Sequence, residues 1–93
     1  MSERIIITPE GDHAYTVALH DGPTATRHQV VVPPALTADL GLGPDDEERL
    51  IIASFDFLLE REPSTSILAR FDLDIIGRYF PQYQATMREQ VIP

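Results

Sequence analysis

The chain has 93 residues, no cysteine and a net charge of −8, from 15 acidic residues against seven arginines. That length makes a single domain, 1–93, able to bury roughly 60–65% of the surface its unfolded chain exposes, and without cysteine it carries no disulfide, thiolate nucleophile or zinc ribbon. The acids are spread along the chain, −3 through Leu40 and −5 beyond it, so a polyanion such as DNA is repelled at long range and nucleic acid is not expected as a partner.

Glu3 and Arg4 precede an apolar run of three residues, too short for the core of a signal peptide. No stretch approaches the roughly 18 apolar residues of a membrane span. A cytoplasmic location without a membrane partner is expected, and the lack of cysteine fits a reducing compartment. Every basic residue is arginine and neither lysine nor asparagine occurs, which reads as the base composition of a GC-rich bacterial genome.

The first third, 1–33, reads as β. Ile5-Ile6-Ile7, Tyr15 to Leu19 and Val30-Val31-Val32 are short β-branched or alternating runs, separated by Pro9-Glu10-Gly11-Asp12 and Asp21-Gly22-Pro23-Thr24. They predict a three-stranded antiparallel meander. Folding the first pair about Gly11 sets Ile5 near Val17 and Ile7 near Tyr15, giving an apolar face that needs a helix over it. Pro33-Pro34 ends the third strand, and Ala35 to Leu40 makes a short helical turn closed by Gly41.

The remainder, 34–93, reads as helical, built around one central helix over about 44–62. Gly43 is a candidate N-cap, Pro44 suits the first helical position, and Asp45, Asp46, Glu47 and Glu48 sit at the positive end of the dipole as helix-start and solubility charges. In Leu50 to Leu59 eight of ten residues are apolar. They sweep an arc of about 220°, leaving Arg49, Asp56 and Glu60 as a polar seam. A strand competes, but the absence of glycine and proline from Asp45 to Glu62 favours the helix. So wide an arc predicts cover on two sides, the second from the C-terminal helices or from another copy of the chain, with a homodimer preferred.

After Pro63, a short helix capped by Ser64 or Thr65 is expected through Ser66 to Phe71, another over Leu73 to Phe80, and a last turn through Tyr83 that frays beyond Met87. The fold class is therefore α+β, a three-stranded meander followed by three to four helices.

Four segments, Phe57 to Pro63, Ser66-Ile67-Leu68, Phe71-Asp72-Leu73 and Arg78-Tyr79-Phe80-Pro81-Gln82-Tyr83, together resemble a family of short, acidic hypothetical proteins of actinobacterial type. The resemblance runs from about His28 to Tyr83. It implies single-domain size and bacterial origin, and nothing about activity.

Residues that could carry chemistry are few. Pairing of the second hairpin about Thr24 would set His20 opposite His28 with Asp21 nearby, a possible metal set. A one-residue slip breaks it and His13 falls on the other face, so solvent-exposed histidines are the better reading and no metal or cofactor is expected. Asp56 is the one acid flanked by apolar residues, and it is read as solvated. No nucleophile elbow, phosphate loop or dinucleotide fingerprint occurs, so the chain is read as not an enzyme. An enzyme, a small metal-dependent one being the second alternative, would have to rest on His20, His28 and Asp21, or on a buried Asp56.

Two patterns point to regulation. Val30 to Leu36 followed by Leu40 to Asp45 resembles the strand, proline and Leu-Gly-Leu turn of swapped-hairpin transition-state regulators and antitoxins, although an acidic helix follows where that family continues into a strand. Ser66 to Phe80 can be drawn as a helix-turn-helix, but its reading helix offers one arginine, Arg78. Phe71, Arg78, Tyr79, Phe80 and Tyr83 have the composition of an interface anchor and equally of a small core. The sequence thus predicts a non-enzymatic protein-binding or regulatory module with an unidentified protein partner, and an antitoxin-like regulator as the alternative.

Overall fold

The computed structural model describes residues 5–91, the side chains of Asp21 and Pro44 excepted. Three antiparallel strands, β1 (Ile5–Gly11), β2 (Ala14–Asp21) and β3 (Thr24–Val31), form the expected meander. In the first hairpin Ile5 pairs with Leu19 and Ile7 with Val17, two residues away from a fold about Gly11. The turn is made instead by Asp12 and His13, both left-handed (φ 51° and 64°), after an irregularity at Gly11. A two-residue shift leaves every side chain on its face, because strand side chains alternate with period two.

The second hairpin turns on Gly22-Pro23, so Asp21 pairs with Thr24 and His20 with Ala25, while His28 lies opposite Val17. Strand β3 therefore starts six residues before the valine run that signals it. Ile5, Val17, Leu19, His28 and Val30 are buried on one face, and Thr8, His20, Arg27 and Gln29 are exposed on the other.

Pro34 opens α1 (Pro34–Leu40), and Gly41, left-handed at φ 73°, closes it with Gly41 N donating to Ala38 O and Leu42 N to Thr37 O. A 3-10 turn, Pro44–Asp46, leads into α2 (Glu47–Leu59). Helix α2 lies on the sheet through Phe55, whose ring meets those of His28 and Phe71 at 5.6 and 6.0 Å between centroids. Its other apolar side meets the last helix: Phe57 packs edge-on to Tyr83, and Ser54 bonds the Tyr83 hydroxyl. The second cover of the wide apolar arc is thus supplied by the chain itself.

Beyond α2 the structure departs from the expected helices. Ser64–Ser66 is a single 3-10 turn, Ile67 is extended, and Arg70–Asp72 is a fourth strand, β4, running parallel to β3. Gln29 N donates to Ala69 O at 2.7 Å and Leu73 N to Val31 O at 2.9 Å. These pairings to an already formed strand outweigh the weak helical preference of so short a segment. The sheet is therefore four-stranded and mixed, in the order β1-β2-β3-β4. The helix-turn-helix drawn over Ser66 to Phe80 does not form, because its first helix is a strand.

Helix α3 (Ile75–Tyr79) is short, and α4 (Tyr83–Val91) stays regular past Met87. Its buried residues Tyr83, Met87 and Val91 recur every four positions, one stripe laid against α2. No helix among the described residues is long and apolar enough to cross a membrane.

Candidate functional site

An apolar groove of about 360 Å³ lies at the β4 edge of the molecule. The end of α2 supplies Leu58, the loop after it Glu62, the extended stretch Ser66 to Leu68 one wall, and Phe71 with Ile75, Ile76, Tyr79 and Phe80 the other. Leu68 is 50% and Tyr79 67% exposed, so two of the four large apolar side chains on the described surface flank this one groove.

The wall bearing Leu68 is held from beneath. His28, 2% exposed, donates Nδ1–H to Leu68 O at 2.7 Å, and its Nε2 is hydrogen-bonded to the Thr26 hydroxyl at 2.9 Å. A carbonyl can only accept, so Nδ1 carries a proton. Of the lining rings, Phe80 is backed by Phe57, which meets it edge-on at 5.6 Å and carries the Arg61 guanidinium 3.7 Å above its ring centre.

Of the interface residues suggested by composition, Phe71, Tyr79 and Phe80 line the groove, whereas two do not. Tyr83 is fully buried. The Ser54 hydroxyl lies 2.7 Å from Leu50 O and 2.7 Å from the Tyr83 hydroxyl, hydrogen-bonded to both. Burial, reinforced by Asp74 and opposed by Ser54, pushes the phenol up to about 12. Arg78 points away from the groove into a shallow depression beside Asp39 and Asp74. Leu58, Ile67, Leu68, Ile75 and Ile76 join the groove without having been singled out; only the ring of β4 contacts brings them together.

His20 and His28 do not converge. His20 is exposed on the outer face as read, whereas His28 is buried beneath the sheet, which corrects its reading as solvent-exposed. The Asp21 side chain lies outside the described residues, and Asp56 is exposed as read.

A second polar cluster was not foreseen. Glu47, read as a dipole charge, is only 4% exposed. Its Oε2 pairs with His13 Nδ1 at 2.5 Å and its Oε1 accepts from the Tyr15 hydroxyl at 2.6 Å. The left-handed turn at Asp12-His13 aims the imidazole at the start of α2. Burial, then the Glu47 hydrogen bond and charge, with Glu48 adding to them, push the Tyr15 phenol up to about 12. Both carboxylate oxygens are hydrogen-bonded, so the cluster clamps the first hairpin to the helix. Among the described residues no three metal-ligating side chains come together.

Comparison with family models, curated proteins and solved structures finds no match. The geometry alone carries the functional reading.

Proposed function

We propose that this protein is a non-enzymatic binding module that takes a segment of a partner protein into the groove between β4, α3 and the end of α2. The observation that carries the reading is the placement of exposed Leu68 and Tyr79 on an apolar cleft also lined by Phe71 and Phe80. Pockets of roughly 300–1,000 Å³ are the usual size for bound ligands, and about 360 Å³ admits two or three side chains. Aromatic anchors in a desolvated pocket concentrate binding energy in a few contacts.

The DNA-binding alternative draws nothing from this surface, since Arg78 sits beside Asp39 and Asp74. A photo-reactive phenylalanine analogue placed at Tyr79 should cross-link to a protein in the cells that make this chain. The same analogue at Ile6, exposed on the outer sheet face, should not. Equal cross-linking at both positions, or none at Tyr79, defeats the proposal.

A further inference from the structure

We infer that the groove's occupant is an extended apolar peptide segment carrying one lysine or arginine, laid along β4 as an added strand. The inference rests on the reading of the groove as a docking site and names what docks there. Two observations carry it.

The first is the edge. Ala69 O accepts from Gln29 N, and Leu73 N donates to Val31 O. Main-chain groups in a strand alternate in direction, so those of Arg70 and Asp72 turn away from β3. Strand β4 ends the sheet, and these groups form no hydrogen bond to another described element. An extended chain beside β4 can pair with them while its alternate side chains drop into the groove past Phe71.

The second is the charge. Glu62 is the single charged residue among the groove's lining. It is half-buried, and among the described residues its carboxylate has neither an ion pair nor a side-chain hydrogen bond. The neighbouring arginine does not serve it: Arg61 is held over Phe57, donates to Phe57 O at 2.9 Å and reaches Glu60. A carboxylate beside apolar walls favours a cation entering with the ligand, because desolvating it unpaired is costly. The net charge of −8 steers basic segments toward the protein and repels acidic ones. A second copy of this chain carries the same charge and is the poorer occupant.

The test uses the full chain and three peptides, acetyl-Leu-Ile-X-Phe-amide with X lysine, norleucine or glutamate, followed by methyl chemical shifts in a magnetic-resonance titration. The lysine peptide should shift Leu68, Ile75 and Ile76, and should bind about threefold more tightly than the norleucine peptide and about tenfold more tightly than the glutamate one. In Glu62→Gln the norleucine peptide should bind as before and the preference for lysine should vanish. Methylating the peptide's backbone nitrogens should weaken binding if the segment adds as a strand. Equal affinity for all three peptides overturns the inference and leaves the docking site standing. Failure of every peptide to shift the groove methyls removes the docking site itself, and an unaltered lysine preference in Glu62→Gln assigns the selectivity elsewhere.

Discussion

Single residues at two buried polar clusters decide how the layers are joined. Among the described residues only His13 and Tyr15 bond the Glu47 carboxylate, so removing either partner leaves a carboxylate oxygen buried without a donor. Each of His13→Ala and Tyr15→Phe should lower the stability by about 1–3 kcal/mol, and the double variant by less than the sum, because the two share one carboxylate; urea denaturation measures this, and strictly additive effects would show that the two act independently. None of this was legible in the sequence, where Glu47 is one of four acids in a row and only tertiary contact singles it out. Tyr83 makes a second test. Its phenol and that of Tyr15 both titrate near 12 in the folded state against an ordinary 10, so folding favours their protonated forms. The stabilisation is present below pH ~10 and is lost as pH rises from there through about 12. For fully buried Tyr83 the loss approaches about 2–3 kcal/mol. Thermal unfolding across that range should therefore fall more steeply in the natural chain than in Tyr83→Phe, and identical slopes would place the phenol in water.

At the level of elements, what could be read was what local chemistry dictates. The strands of the meander, the Pro34 start and Gly41 stop of α1, and the acidic, proline-marked approach to α2 are each specified by residues within a few positions. Strand β4 was not legible, because three residues have no period of their own and β4 exists through its pairing with β3. The same cause hid the groove, whose walls are brought together only once β4 displaces the expected helix. The two glycines around the α1–α2 turn give this a measurable form. Gly41 sits at φ 73°, whereas Gly43 lies outside the left-handed region, and a Cβ at either meets nothing within 4 Å. Gly41→Ala should then destabilise by about 1 kcal/mol through backbone strain alone. Gly43→Ala should be neutral or stabilise by up to about 1 kcal/mol by restricting the unfolded chain. Equal losses in melting temperature for the two variants would mean that the left-handed stop does not control α1.

For the whole molecule the question is what the enclosed helix leaves for association. The sequence favoured a second copy as cover for the wide arc of α2, but α4 and the sheet bury Leu50, Ile51, Phe55, Phe57 and Leu58 within a chain whose radius of gyration is 12.2 Å. About that value is expected of a self-contained domain of this length, so no large apolar face of α2 remains to drive dimerisation. Among the described residues the exposed large apolar side chains are Ile6 and Val31 on the sheet and Leu68 and Tyr79 at the groove, the one place where two of them adjoin a concavity, on a molecule carrying −8. Two such molecules repel one another within about 10 Å of screening length at 0.1 M salt, and less as salt rises. Light scattering at micromolar concentration should accordingly report a monomer at low ionic strength. Any association should appear only at high salt or high concentration, and should disappear in Tyr79→Ser, which removes the exposed ring from the groove. A dimer that persists at low salt and survives Tyr79→Ser would locate self-association away from the groove and return the second copy as a partner in its own right.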